Sequence, residues 1–238
     1  MHWHIDSDIM SLFATCLLII YQRRMHPDAK EKLRTRWFTA CLGVCAVVTL
    51  IDILASVVMD VPRNRFLYHF LMTLYFVCIV QVILSWFYFS ISILYADNRR
   101  AGHRAGVIAG VPYLVYVALS VSNPWTGWIY SLDANMTYAR GPLFFLMVAV
   151  FGAYTIALFI LTLIRRSHIE KRYSDTVLLL IPALLAVSII VQLLNNGWLV
   201  IMPTYAICLL LAFFFLQSDE LKQQNMLVEH LSIEASTD

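Results

Sequence analysis

Residues 67–95 read LYHFLMTLYFVCIVQVILSWFYFSISILY, a run of 29 residues that contains no Asp, Glu, Lys or Arg. A helix needs about 20 residues to cross the roughly 30 Å hydrocarbon core of a bilayer, and this run is long enough to do so. Only helices and closed barrels satisfy their backbone hydrogen bonds in lipid, and the run lacks the alternation of a barrel strand. It is therefore predicted to be a transmembrane helix.

Six further apolar runs predict an all-α, polytopic membrane protein built as a seven-transmembrane-helix bundle. A mean hydropathy of +0.73 and 61% hydrophobic residues leave no room for a separate soluble domain. The first run is the weakest, because it is short and contains Asp8 and Ser11. We place the seven spans at residues 8–21, 37–59, 67–95, 105–121, 142–164, 176–195 and 197–217.

The distribution of Lys and Arg predicts the orientation of the bundle. Fourteen of the 17 basic residues fall in the loops after the first, third and fifth runs or in the C-terminal tail, and only Arg63, Arg65 and Arg140 lie on the other side. Basic residues near membrane ends are retained in the cytoplasm. The N-terminus is therefore predicted to be outside and the C-terminus cytoplasmic. The expected partner is the lipid bilayer and not nucleic acid, because the basic residues act as topology signals.

Several activities known from seven-helix proteins are excluded by what the runs lack. A retinal Schiff base needs a lysine inside the membrane, whereas all four lysines lie in predicted cytoplasmic segments. The five cysteines lie in apolar runs without paired metal-ligand spacing and are expected to be buried apolar side chains. We therefore predict no metal, no cofactor and no catalytic residue in this chain.

Asp52 is the residue most indicative of a functional site, because a carboxylate inside a span costs about 2.5 to 3.5 kcal/mol on insertion scales. Other polar residues lie at a similar predicted height, near the outer end of the bundle. They could line a pocket for an unknown small-molecule ligand, or form an interhelical hydrogen-bond knot that only fixes packing. The predicted ligand-binding residues are Asp52, Tyr75, Trp125, Tyr138, Arg140, Gln192 and Asn195.

The outer loop, residues 123–142, has the most specific sequence, NPWTGWIYSLDANMTYARGP. Its Asn-Pro and Thr-Gly pairs are typical of turns, and the alternation through residues 128–132 predicts a short strand that turns back towards Tyr138. The resulting hairpin is either a lid over the outer mouth, with Arg140 available to Asp133 or to an acidic ligand, or a membrane-interface belt of aromatic residues. Pro142 is expected in the first turn of the fifth helix.

This loop, with its Asn-Pro, Thr-Gly, aromatic, Asp and Tyr-x-Arg-Gly-Pro series, resembles the seven-helix N-terminal sensor region of bacterial signalling proteins. The short first span, the basic loop after it and Asp52 extend the resemblance along the chain. Such regions precede histidine kinase or GGDEF diguanylate cyclase domains, mostly in Gram-positive bacteria. The resemblance implies a sensor in the bacterial plasma membrane that binds an extracellular or membrane-borne signal, and it assigns no binding residue.

The C-terminal tail has a heptad pattern that extends the last helix into the cytoplasm. Apolar residues recur every seven positions, which favours a short parallel coiled coil and a homodimer, although an amphipathic tail that frays is the alternative. We assign residues 1–216 to the sensor domain and 217–238 to a transmission helix that leads to a missing output domain. The predicted transmission residues are Phe214, Leu221, Val228 and Leu231.

The last two residues, Thr237 and Asp238, resemble the opening of a GGDEF domain, so the resemblance implies a diguanylate cyclase as the output. His230 lacks the setting of a kinase phosphoacceptor histidine, which places a histidine kinase second. A small-solute transporter is the competing class, but transporters usually contain an internal repeat and none is evident here. The chain is therefore interpreted as a sensor module without catalytic activity of its own.

Overall fold

The computed structural model describes residues 6–25, 33–60, 65–133, 138–165, 174–194 and 200–237. These residues form seven α-helices and one two-stranded antiparallel sheet. The elements are α1 (Asp6–Met25), α2 (Leu33–Asp60), α3 (Arg65–Leu94), α4 (Arg99–Thr126), β1 (Tyr130–Leu132), β2 (Tyr138–Arg140), α5 (Phe145–Arg165), α6 (Ser174–Leu194) and α7 (Ile201–Thr237).

Six of the seven helices, α2 to α7, contain segments long and apolar enough to cross a membrane. The shortest of these segments has 18 residues, which corresponds to about 27 Å at 1.5 Å per residue. Helix α1 has 20 residues but is more polar, in keeping with the weak first run of the sequence. The predicted seven-helix bundle is therefore confirmed.

Helix α3 is the centre of the bundle and packs against α2, α4 and α5. Large side chains such as Trp86 and Phe89 are almost fully buried on it, because its apolar residues surround the helix on all sides. Helix α7 packs against α1, α2 and α6. The hydroxyl oxygens of Ser85 on α3 and Tyr205 on α7 are 3.1 Å apart, which links the two helices inside the bundle.

A stripe of glycines brings α4 close to α3. A Cβ atom at Gly102 would lie 3.0 Å from Cβ of Tyr95, and one at Gly106 would lie 3.0 Å from Cε1 of Tyr88. The Tyr88 hydroxyl donates a hydrogen bond of 3.1 Å to the Gly106 carbonyl oxygen. Small residues spaced four apart are typical of close helix packing in membranes. The stripe was not among the predicted features, although its Gly-x-x-x-Gly spacing can be read from the sequence.

Both helix ends that flank the outer loop differ from the predicted ones. Helix α4 does not stop before Asn123 but continues through Pro124 to Thr126, and Gly127 then ends it in the left-handed conformation with φ of 64°. Helix α5 begins at Phe145, three residues after Pro142. The prediction for Pro142 is wrong because the backbone amides on either side of it bind the hairpin, as described below.

We call the end of the bundle that carries β1 and β2 the hairpin end, and the opposite end the basic end. Helices α1, α3, α5 and α7 run from the hairpin end to the basic end, and α2, α4 and α6 run back.

Candidate functional site

The candidate site lies at the hairpin end, where β1 and β2 connect α4 to α5. The strands pair in antiparallel register, with Tyr130 opposite Arg140 and Leu132 opposite Tyr138. Ile129 and Tyr130 are almost fully buried, so this hairpin packs into the bundle. The predicted strand pairing is confirmed, while the tip of the hairpin, residues 134–137, lies outside the described residues.

Asn123, at the end of α4, holds the hairpin by its side-chain amide. Its Oδ1 atom accepts hydrogen bonds from the backbone amides of Ile129 at 2.6 Å and Tyr130 at 3.2 Å. Its Nδ2 atom donates to the Tyr130 carbonyl oxygen at 2.9 Å. The Asn123 side chain is 1% exposed, so these bonds form away from water. One amide thus satisfies three backbone groups that an isolated hairpin would leave unpaired.

A close backbone contact fastens the other side of the hairpin to the start of α5. The amide of Gly141 donates to the Ile129 carbonyl oxygen at 2.8 Å, and the amide of Leu143 donates to that of Trp128 at 2.7 Å. A Cβ atom at position 141 would lie 2.6 Å from the Gly127 carbonyl oxygen, closer than real Cβ atoms approach. Only glycine fits at this position, which explains the glycine in the Arg-Gly-Pro sequence.

Tyr130 docks the hairpin onto α3. Its hydroxyl donates a hydrogen bond of 3.0 Å to the His69 carbonyl oxygen, and the Thr73 hydroxyl lies 3.0 Å away. Its ring stacks on Phe76 with centroids 5.4 Å apart and an interplanar angle of 10°. A movement of β1 would therefore act directly on the first turns of α3.

Tyr138 and Arg140 on β2 extend the aromatic stack. The Tyr138 ring lies 6.3 Å from that of Tyr130, and the Arg140 guanidinium lies 4.8 Å from the centroid of the Phe144 ring. Burial raises the pKa of the Tyr138 hydroxyl well above its usual range, and the charge of Arg140 opposes this shift only in part. Tyr138 is therefore a neutral hydrogen-bonding group at physiological pH.

A buried polar cluster lies between the helices at the same end. Asp8 on α1 and Asp52 on α2 are 0% and 5% exposed and interact electrostatically with each other. The Tyr75 hydroxyl on α3 is coupled electrostatically to both carboxyl groups and to Tyr138. Asp8 was not among the predicted site residues, although it is as deeply buried as Asp52. The signal that could have found Asp8 was its place in an otherwise apolar run.

Gln192 connects this cluster to the last helix. Its side chain interacts with the Tyr75 hydroxyl. Its Oε1 atom also accepts from the backbone amides of Val200 at 3.2 Å and Ile201 at 3.3 Å, the residues at which α7 begins. A single side chain on α6 thus contacts α3 and caps the N-terminus of α7.

The structure brings together some of the predicted ligand-binding residues and separates others. Asp52, Tyr75 and Gln192 meet in the polar cluster, with Tyr138 at its edge. Trp125 is 83% exposed, so it is not part of the buried cluster. Asn195 lies outside the described residues. A role for any of these residues in binding stays a prediction.

Replacing Gln192 with methionine is expected to lower the stability of the bundle, because two hydrogen bonds are lost at similar side-chain volume. We expect a loss of roughly 1–3 kcal/mol, since the two amides at the start of α7 are left without this acceptor. Thermal unfolding in detergent micelles measures the change. Leu194→Met, at a 79% exposed position on the same helix, is the control. Equal midpoints for the two variants would contradict the role given to Gln192.

The described residues contain no group of three or more His, Cys, Asp or Glu that could hold a metal ion. The cysteines in that part of the chain are all unpaired thiols.

Comparison with known proteins gives one match that covers most of the chain. A family model described as the N-terminal 7TM region of histidine kinase matches residues 9–226. The search of curated proteins gave no match. The matched range contains α2 to α6 and the hairpin, most of α1 and α7, and Asp52, Tyr75 and Gln192 of the polar cluster, whereas Asp8 lies one residue before it.

Proposed function

Because the chain belongs to the family of N-terminal seven-transmembrane regions of histidine kinases, we propose that its bundle senses a signal at the hairpin end and passes it through α7 to an output domain. The protein is a multi-pass membrane protein. The positive-inside pattern of the sequence supports an orientation with the hairpin end outside and the basic end in the cytoplasm.

The observation that carries this proposal is the set of contacts made by Gln192. Its side chain interacts with Tyr75 in the polar cluster and accepts hydrogen bonds from the first amides of α7 at 3.2 and 3.3 Å. Helix α7 then continues without a break from Ile201 to Thr237, well beyond its membrane-spanning segment, which ends at Ser218. A change at the cluster therefore has a direct mechanical path to the far end of α7.

The proposed ligand site comprises Asp52, Tyr75 and Tyr138 together with Asp8. Buried carboxyl groups are costly in a membrane and usually face a ligand or a partner. A ligand shifts the bundle between two states only by its different affinity for them. A ligand that donates hydrogen bonds to the carboxyl groups would bind best to the state in which the hairpin leaves them accessible. We propose the hairpin as the element that moves between those states.

We propose a histidine kinase as the output, with a diguanylate cyclase second. The family description names histidine kinases, whereas the predicted cyclase rests on the resemblance of Thr237 and Asp238 alone. Pairing of the α7 helices of two copies of this chain is compatible with either output. Phe214 and Val228 are 58% and 65% exposed and lie on the predicted heptad seam, which supports dimerisation through this helix. The side chains of Leu221 and Leu231 lie outside the described part of the structure.

We expect Asp52→Asn and Tyr138→Ala to change the output of the full-length protein without preventing its insertion. Removing a group that distinguishes two signalling states shifts output by about fivefold or more. The measurement is autophosphorylation of the full-length protein in membrane vesicles, normalised to inserted protein.

Leu54→Met, at a 45% exposed position on α2, is the control for this experiment. Loss of inserted protein in both site variants would show that the cluster only fixes packing. An unchanged output with normal insertion would also contradict the proposal. Full-length protein with cyclase but no kinase activity would move the output to the second candidate and leave the sensor role intact.

A further inference from the structure

A cleft at the basic end is a candidate binding site separate from the hairpin end. It has a volume of about 690 Å³, which is within the range of small-molecule sites. Helix α3 forms its floor, and α2 and α4 form its walls. The cleft exists because both walls pack closely on α3 while having little contact with each other. Its lining residues include Arg34, Trp37, Tyr88, Tyr95, Arg99 and His103.

The charged side chains among the described residues that line the cleft are all basic. Arg99 and His103 lie four residues apart and therefore on the same face of α4, and Arg34 lies on the opposite wall. No acidic residue is among the described residues that line it. Asp97, the nearest acidic residue in the sequence, instead forms an ion pair of 3.3 Å with Arg165. The mouth of the cleft thus favours an anionic group.

The floor of the cleft is aromatic and apolar. Trp37 stacks on Tyr88 with centroids 4.8 Å apart and an interplanar angle of 17°. Gly102 and Gly106 line the α4 side of the cleft, where the lack of side chains lets the helix pack directly on Tyr95 and Tyr88. The cleft continues at Val107 onto the exposed apolar surface of α4, where Ile108 is 71% exposed. A ligand that fits must therefore have an apolar part that reaches the lipid-facing surface.

We propose that this cleft binds an anionic phospholipid of the leaflet at the basic end, with its phosphate between Arg99, His103 and Arg34 and an acyl chain on the aromatic floor. The cleft lies at the first turns of α4, which is the level at which headgroups meet hydrocarbon. The positive-inside rule would explain basic residues at this end of the bundle. It does not explain why they line a cleft with glycines on one side and aromatic residues on its floor. The site is independent of the proposed ligand site at the hairpin end.

The test is native mass spectrometry of the whole chain in detergent with added phosphatidylglycerol or phosphatidylcholine. We expect retention of phosphatidylglycerol over phosphatidylcholine, and a loss of at least about fivefold in the double variant Arg99→Gln/His103→Gln, since the charge of one arginine near the headgroups contributes about 1 kcal/mol. Arg100→Gln is the matched control, because Arg100 is an exposed neighbour that does not line the cleft. It should retain the lipid.

A second variant, Ser92→Leu, distinguishes a cleft from general surface charge. Ser92 lines the floor, and its hydroxyl donates to the Phe89 carbonyl oxygen of its own helix, so leucine fills space without changing charge. We expect it to reduce lipid retention while the thermal midpoint stays near that of the wild type. Equal losses in Arg100→Gln and in the double variant would overturn the proposal, as would full retention in both Ser92→Leu and the double variant. Displacement by millimolar inorganic phosphate would also overturn it, because the site would then take a free anion.

Discussion

Replacing Asn123 with alanine is expected to detach the hairpin from α4 and to destabilise the bundle by roughly 2–4 kcal/mol, because three backbone groups at buried Ile129 and Tyr130 lose their partner. For a protein of this size, that loss corresponds to a fall of roughly 5–12 °C in the thermal midpoint. Thermal unfolding in detergent micelles, followed by tryptophan fluorescence, measures it. The same variant should make the hairpin sensitive to limited proteolysis.

Thr126→Ala is the matched control for Asn123→Ala. Thr126 lies three residues after Asn123. Its hydroxyl donates to the Ser122 carbonyl oxygen of the same helix and forms no hydrogen bond with the described residues of the hairpin. Its loss should change the midpoint little, since the group is exposed. If both variants unfold at the same temperature, Asn123 does not hold the hairpin.

Replacing Gly141 with alanine is expected to have the second large effect, a destabilisation of about 3 kcal/mol or more. The added Cβ would overlap the backbone carbonyls of Gly127 and Trp128, and backbone atoms cannot turn aside as a flexible side chain can. The hairpin or the start of α5 must therefore shift, and the bonds from Gly141 to Ile129 and from Leu143 to Trp128 are strained or lost.

Gly152→Ala provides a sharp control, because it makes the same chemical change on the next helix. Nothing lies within 4 Å of a Cβ at Gly152, and alanine is a better helix former than glycine by about 1 kcal/mol. The control should be as stable as the wild type or more stable, while Gly141→Ala falls well below both. A Gly141→Ala variant with an unchanged midpoint would contradict the close approach.

Together these contacts explain why Asn, Tyr and Gly occupy their positions in the outer loop, residues 123–142. Asn123 holds the hairpin to α4, Tyr130 docks it on α3, and Gly141 brings it against the start of α5. A rigid attachment to three helices suits an element that transmits a signal, because a displacement of the strands is passed on to those helices.

The two predictions also separate stability from signalling. Variants of the attachment should lower the thermal midpoint, whereas Asp52→Asn should act on output with the bundle intact. A result in which every variant affects stability alone would favour the interhelical knot over a ligand site.

Much of the fold was predictable from sequence because its signals are local. Span length and hydropathy give the helices, and the alternation around Tyr130 gives the strand that pairs with Tyr138. The helix ends at Thr126 and Phe145 were not predictable, because they depend on hydrogen bonds between the hairpin and the residues that flank it. Asn-Pro is typical of a turn, yet here the helix continues past it and Asn123 faces the hairpin.

The sequence by itself determined that this is a helical membrane protein, how many helices it has, how the hairpin pairs and which end of the bundle is basic. The tertiary structure alone decided which polar side chains meet, placing Asp8 beside Asp52 and Gln192 between Tyr75 and α7 while turning Trp125 outwards. The physical reason is that a helix such as α3 is apolar on every face, since lipid and protein interior are equally apolar. The spacing of apolar residues along α3 therefore cannot show how the helix is rotated about its own axis. That rotation is set by packing against the neighbouring helices.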